Sequence, residues 1–367
     1  MSLINKQKYY SLKNILTREA QYNVIFGERS NGKTYAVLLH GLTDFIENNN
    51  QMAIIRRWQD DFKGKRAATM FDNLVSNGEV SRLTNGEWTG IFYNASRWYL
   101  CRFEEEKRIL DETPLCYAFA ISAMEHDKSS SYPKVRTVLF DEFLTRSMYL
   151  PDEFVLYMNV LSTIIRDRND VTIFMCGNAV NKYSPYFTEM GIVHIKQMKP
   201  GDIDIYEYGD SGLRVAVEFS DSPNKGKPSD LYFAFDNPKL AMITGQNGIW
   251  EIAVYPHCPV KILPKDILYT YFIQFTTELL QCEIIQHENL LFTYIHRKTT
   301  ELKTPDSDLI YSPEYDARPN WKRKITKPVS LLEKKIASFY VNEKIFYQDN
   351  EIGEIVRNYL MWCKGGE

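Results

Sequence analysis

The sequence predicts an α/β fold with a mostly parallel sheet, followed by a smaller α+β unit. Three observations carry that prediction. Short apolar runs alternate with helix-like stretches through the first half of the chain. One such run leads straight into Gly27-Glu28-Arg29-Ser30-Asn31-Gly32-Lys33-Thr34, which fits G-x-x-x-x-G-K-[ST] at every fixed position. A second apolar run, Thr137-Val138-Leu139-Phe140, ends in two acids, Asp141 and Glu142.

Taken in order, Tyr22–Phe26 is a strand, followed by the loop and a helix to about Asn48. Met52–Ile55 is the next strand and closes on Arg56-Arg57-Trp58. Helical and hairpin-like material follows, including Tyr93–Phe103, and Tyr117–Ser122 is strand-like. Val135–Phe140 and Thr172–Cys176 are strands, with a helix from about Pro151 to Ile165 between them. Alternation of this kind places helices on both faces of the sheet. The run Asp221–Pro228 is a turn-rich linker, and a strand-like Ile249–Tyr255 opens a second unit. That unit contains a helical 265–281 region, a polar, proline-containing stretch over 304–328, and a helical pattern from Leu331 to Trp362. The expected domains are 1–219, a linker or lid over 220–249, and 250–367. No internal repeat or low-complexity tract interrupts the chain.

Bulk properties narrow the function classes. A chain of 367 residues suggests two domains, with three possible, and can bury a sizeable core. Hydrophobic residues at 44% and charged ones at 25% are the balance of a soluble globular protein. A net charge of −3 argues against a general polyanion binder, so any nucleic-acid contact must come from local patches. The cysteines at 101, 116, 176, 258, 282 and 363 have no C-x-x-C spacing, which disfavours zinc and suits reduced thiols. Met1–Lys13 is polar and aromatic, unlike a signal peptide. No run of about 18 apolar residues predicts a membrane span. The closest, Ile267–Leu280, contains Gln274 and Glu278 and is expected to be a buried helix.

The chemistry resides in the loop and the acids. Glycines let the loop backbone curl so that its N–H groups face phosphate oxygens. Lys33 would reach the β- and γ-phosphates, and the Thr34 hydroxyl would hold Mg²⁺. In such a fold the strand of Asp141 is expected beside the loop. Asp141 would then hold Mg²⁺, and Glu142 would polarise the attacking water. Arg29 could touch a phosphate, pair with an acid, or be solvated. Arg166 and Arg168 could each serve as an arginine finger for an adjacent subunit, or pair at the helix end with Asp167 or Asp170. Asn178 ends the next strand, where an amide can sense the γ-phosphate or the lytic water.

These motifs, in this order, resemble the DNA-packaging (encapsidation) ATPases of small podoviruses with protein-primed linear genomes, relatives of terminase large subunits. The resemblance rests on Met52-Ala53-Ile54-Ile55-Arg56-Arg57, on Ser131-Tyr132-Pro133-Lys134-Val135 leading into Leu139-Phe140-Asp141-Glu142-Phe143, and on Ile165-Arg166-Asp167-Arg168. It continues through Gly177-Asn178-Ala179-Val180 and Pro185-Tyr186-Phe187, which look like the family's coupling segment. It is specific over about 22–190, weaker over 200–330, and recovers over Lys335–Leu360. It implies a P-loop NTPase fold of the additional-strand, catalytic-glutamate class, with a C-terminal domain like a degenerate RNase H nuclease. It also implies an ATP- and Mg²⁺-dependent homomeric ring, a pentamer, acting at the portal vertex of a prohead in the host cytoplasm. The implied partners are double-stranded DNA carrying a terminal protein, the portal or connector, and a structural prohead RNA, with no membrane. Within the resemblance, Arg166 matches the trans-acting arginine and Asn178 the coupling segment.

A nuclease needs several carboxylates converging on two metals. Glu251, Asp266, Asp306 and Asp308 form no clear constellation in the sequence. The segment Arg318–Lys335 is basic, with Arg318, Lys322, Arg323, Lys324, Lys327, Lys334 and Lys335 against Glu333, and Trp321 inside it. It suits phosphate binding to RNA or DNA, or a solvated face. Two rival readings stand beside the motor: a terminase-type motor that also cuts DNA, and a non-motor P-loop ATPase of phage assembly.

Overall fold

The computed structural model describes residues 9–29, 31–126, 131–179, 182–221 and 255–364, which fall into two compact units. The first runs through Arg146 and resumes at Asp152; the second holds Ser147–Pro151 and the described residues from Tyr255 onward.

In the first unit the helices are α1 (Lys13–Leu16), α2 (Lys33–Asn48), α3 (Gly64–Ala68), α4 (Asp72–Ser76), α5 (Glu79–Leu83), α6 (Glu153–Ile165) and α7 (Pro185–Glu189). The strands are β1 (Tyr22–Gly27), β2 (Gln51–Arg56), β3 (Gly90–Asn94), β4 (Arg97–Glu104), β5 (Lys107–Leu110) and β6 (Cys116–Ala120). They continue with β7 (Val135–Asp141), β8 (Thr172–Asn178), β9 (Ile203–Tyr208) and β10 (Leu213–Ser220). All ten join one sheet in the order β3-β4-β6-β2-β7-β8-β1-β10-β9, with β5 paired to β4. From β6 to β10 the pairings are parallel; the strands at either end are antiparallel. The central strands are near-continuous apolar runs, buried on both faces. Trp98 is fully buried, meets Phe62, Phe71 and Tyr93, and donates its indole N–H to the Ala67 carbonyl, which ties α3 to the sheet.

One expectation needs correction here. The strand of Asp141 does not lie beside the loop strand, because β8 is inserted between them. In register, Asp141 faces Cys176 and Cys176 faces Ile25. Two strand spacings, about 10 Å, therefore separate β7 from β1. Nothing in the local sequence of either strand encodes its neighbour.

In the second unit β11 (Ile267–Phe275), β12 (Glu278–His287) and β13 (Leu290–Arg297) form an antiparallel meander. Short parallel strands β14 (Ile310–Tyr311) and β15 (Trp321–Lys322) add to one side, and β16 (Ile345–Tyr347) pairs with β13 on the other. Two helices follow the meander, α8 (Leu331–Val341) and α9 (Asn350–Lys364). The helix expected over 265–281 is thus a hairpin. The apolar run is rich in β-branched and aromatic residues, which pack better on a pleated surface, and Thr276 takes the left-handed conformation (φ +55°) that turns the chain. The helical pattern from Leu331 to Trp362 is interrupted by β16, whose Ile345-Phe346-Tyr347 is again strand-forming. Ser330 caps α8: its hydroxyl accepts the Glu333 N–H at 3.2 Å, while the Glu333 carboxylate accepts the N–H of the preceding Val329 at 3.0 Å. The linker expected over 220–249 falls outside the described residues, apart from its first two positions, as does most of Ile249–Tyr255.

Candidate nucleotide site

The carboxyl ends of β1, β7 and β8 bring the loop, Asp141, Glu142 and Asn178 together. Gly27 pairs with Asn178 on one side and Ser220 on the other. The Ala179 N–H donates to the Gly27 carbonyl at 2.9 Å, holding the end of β8 against the loop. Gly27 has φ +157°, and a Cβ there would lie 2.3 Å from Ser220 Oγ and 2.8 Å from the Ser220 carbonyl oxygen. Gly32, at φ +95°, starts α2 in a conformation side chains resist.

Asn31 is the keystone of the loop interior. Its amide donates to Ser220 Oγ at 2.9 Å, and Ser220 Oγ donates to the Phe26 carbonyl at 3.0 Å. Asn31 Oδ1 accepts from the Lys33 N–H at 3.3 Å and from Lys33 Nζ at 3.0 Å. The Tyr10 N–H donates to the Asn31 carbonyl at 2.8 Å, and the Tyr10 hydroxyl donates to Glu218 at 2.5 Å. Burial pushes the Glu218 carboxyl above its ordinary value, which the Tyr10 bond only partly offsets. Lys33 is 6% exposed and also donates to the Glu28 carbonyl at 2.6 Å. Burial pulls its ammonium down to about 8, against the opposing pull of nearby negative groups.

Across β8 the Thr34 hydroxyl donates to Asp141 Oδ1 at 2.7 Å. Asp141 Oδ2 accepts from the Arg56 guanidinium, which also lies 3.9 Å from Glu142. Glu142 follows β7 at φ +59° and keeps its side chain 65% exposed. Asn178 is half-buried, whereas Glu28 is half-buried and Arg29 exposed on the loop. Ser30 lies outside the described residues.

Two predicted arginines separate. Arg168 packs into the protein: it donates to the carbonyls of Val135 (2.8 Å), Tyr132 (3.2 Å) and Ile164 (3.1 Å) and pairs with Asp170 at 3.3 Å. Arg166 is exposed at the end of α6, at φ +52°. These contacts put the segment at the amino end of β7. Six residue steps of strand, about 20 Å, separate that end from Asp141. The structure therefore does not bring Arg166 to the site of its own chain.

Several residues of the site carried no local signal. Arg56 and Arg57 were visible only as a strand ending in two arginines. Ser220, Glu218 and Tyr10 come from distant segments, and nothing in their neighbourhoods marks them.

In the second unit the acids considered for a nuclease do not converge. Asp266 accepts from the Leu263 N–H at 3.1 Å and meets His287 at 3.1 Å, Asp308 accepts from Thr304 at 2.9 Å, and Asp306 lies 3.4 Å from Arg318. Glu251 is outside the described residues. Among the described residues no group of three His, Cys, Asp or Glu could hold a metal. In the basic segment the Arg323 guanidinium lies over Tyr315 (3.8 Å) and Trp362 (5.2 Å), and Arg318 lies over Trp321 (4.9 Å). All six cysteines are free, and no helix among the described residues is long and apolar enough to cross a membrane.

Comparison with known proteins bears on these motifs. A family described as podovirus DNA encapsidation protein (Gp16) matches residues 101–242. The DNA packaging protein of Bacillus phage phi29 is 25% identical over 193 residues, 52% of this chain and 52% of the relative. The chain thus aligns with about half the length of the curated relatives it matches. Among solved structures, the Phi-28 gp11 DNA packaging motor superposes with a TM-score of 0.54 at 18% identity, covering 98% of both chains. The bacteriophage Phi-29 viral genome packaging motor assembly gives 0.53 at 19% identity, covering 96% of this chain and 97% of the other. The chain is similar to the podovirus encapsidation proteins in sequence, and it shares the mixed α/β fold of the packaging motors.

Proposed function

We propose that this chain is the ATP-hydrolysing subunit of a viral motor that drives double-stranded DNA into a prohead. The observation that carries the reading is the 2.7 Å bond from the Thr34 hydroxyl to Asp141. It joins the loop to the acidic strand end across an intervening strand, where a nucleotide and its metal would be gripped. The inserted β8 supports the additional-strand, catalytic-glutamate class of P-loop NTPase. In the second unit, a three-strand meander extended by three short parallel strands supports kinship with an RNase H-like nuclease.

The residues suit the groups they would hold. Thr34 and Asp141 offer hard oxygen donors of the kind Mg²⁺ takes, and the Asp141 carboxylate already draws the Arg56 cation. Bound Mg²⁺ would neutralise charge on the phosphates. The backbone from Gly27 through Glu28, Arg29, Ser30, Asn31 and Gly32 would cradle the phosphates, with the Lys33 ammonium paired to them. Glu142, exposed beside the site, would polarise the attacking water, and Asn178 would report occupancy. Arg166, remote from its own site, would stabilise transition-state charge in the site of a neighbouring copy. That role requires a ring, and by resemblance a pentamer on the portal, with a prohead RNA and terminal-protein DNA as partners in the host cytoplasm. We keep 1–219, 220–249 and 250–367 as the proposed ATPase, linker and nucleic-acid- or portal-binding segments.

Steady-state ATP hydrolysis, with and without duplex DNA at two salt concentrations, tests the reading. Stimulation by DNA that fades with salt is expected. Absence of stimulation both for the free protein and for the protein on proheads would overturn it.

A further inference from the structure

Glu142 occupies a backbone conformation that a side-chain-bearing residue resists, with φ +59°. Such a conformation persists only where the surroundings over-determine it. The surroundings here are specific. Arg57, one residue past β2, is 6% exposed and turns inward, whereas its neighbour Arg56 turns to the carboxylates. Arg57 Nη2 donates to the Phe143 carbonyl at 2.9 Å, and Nη1 lies 3.4 Å from the Glu142 carbonyl. The guanidinium is held in turn by Glu153, the first residue of α6, through Nε to Oε2 at 2.7 Å and Nη2 to Oε1 at 2.8 Å. Glu153 is 2% exposed, and its Oε1 also accepts from the Tyr186 hydroxyl at 2.7 Å. Burial, reinforced by Glu153, raises the Tyr186 phenol well above its ordinary value, so it stays protonated and donates.

We infer that Arg57 is a positioning residue for hydrolysis: a guanidinium clamp that fixes the backbone of Glu142 and Phe143 and thereby the direction of the Glu142 carboxylate. The inference rests on Glu142 acting as proposed above. The clamp needs the planar fork of arginine. Nε and Nη2 take the two Glu153 oxygens, while Nη2 also reaches the Phe143 carbonyl and Nη1 faces that of Glu142, a division of bonds that a lysine ammonium on a flexible stem cannot reproduce. The clamp also joins the acidic turn to α7 through Tyr186. These side-chain bonds of Arg57 run to Glu142, Phe143 and Glu153 and not to the phosphate loop. Loss should therefore fall on kcat and spare nucleotide affinity.

The test uses the full chain under the conditions that give wild-type turnover. R57K is expected to lower kcat about tenfold, with KM and the affinity for a non-hydrolysable ATP analogue within about twofold of wild type. E153Q should behave alike, and the double variant R57K/E153Q should be little worse than either single, since both disable one clamp. Y186F removes only one bond to Glu153 and keeps the test available should R57K fold poorly; it should lower kcat about threefold with KM unchanged. Faster amide exchange at residues 142–145 should accompany each loss. Wild-type kcat in both folded R57K and Y186F would overturn the inference while leaving the proposed function standing. So would equal damage to KM and kcat, which marks a merely structural role. Absence of wild-type turnover under every condition would instead overturn the proposed function, and this inference with it.

Discussion

If Lys33 holds the phosphates as proposed, its lowered pKa should make nucleotide binding pH-dependent between pH 7 and pH 9. In the free protein burial pulls the ammonium from 10.5 to about 8. It is then about 90% charged at pH 7 and about 10% charged at pH 9. Phosphate oxygens bound there would restore the charge, so the complex should take up the missing proton. Apparent affinity for a non-hydrolysable ATP analogue should fall about tenfold between pH 7 and pH 9. The phosphates contribute little to this fall, because a terminal phosphate with a second pKa near 6 is already ionised at about pH 7. Unfolding does not contribute either. A lysine whose folded pKa is depressed costs stability while charged; that cost is full below about pH 8 and fades as pH rises toward 10.5, so the free protein gains stability across the window. Titration by fluorescence anisotropy at fixed ionic strength measures the affinities. Calorimetry in two buffers of different ionisation enthalpy should show uptake of about 0.9 proton per nucleotide at pH 9 and close to none at pH 6.5. Flat affinity to pH 9, or no proton uptake there, would refute the reasoning.

Three further outcomes follow from the geometry. Gly27→Ala should cost about 1–3 kcal/mol, because its Cβ would collide with backbone as well as with the side chain of Ser220; an unchanged thermal midpoint would contradict that. Glu142→Gln should bind ATP without turnover and Arg166→Ala should also be inactive, yet mixed rings of the two should regain hydrolysis because each supplies what the other lacks; no recovery on mixing would show that Arg166 does not act in trans. Arg323→Ala should weaken binding to duplex RNA or DNA and reduce the slope of log affinity against log salt by about 1, and an unaltered slope would mean that the basic segment around Tyr315 and Trp362 is a solvated face.

Much of the site was legible because its requirements are local. A loop that must curl, expose N–H groups and present one ammonium and one hydroxyl needs Gly27, Gly32, Lys33 and Thr34 at set spacing, and an acidic strand end needs an apolar run before Asp141 and Glu142. The burial of both faces of a parallel sheet made five of its strands, β1, β2, β6, β7 and β8, readable as apolar runs to within a residue or two, whereas the parallel β10 was missed. Reading failed where length and hydrophobicity did not discriminate, as at Ile267–Leu280, where a hairpin and a buried helix look alike until β-branched and aromatic content is weighed.

What the sequence alone determined is therefore which residue types stand in the loop and in the acidic turn, and at what spacing. Tertiary structure decided which groups meet. It inserted β8 between them, moved Arg166 to the far end of the sheet, and buried Arg168 against carbonyls. It also joined Arg57 to Glu153 across 96 residues and Tyr10 to Glu218 across 208. The spacing of a loop motif is written in residues adjacent in the chain. The partner of a buried charge is set by strand order, which no stretch of sequence records by itself.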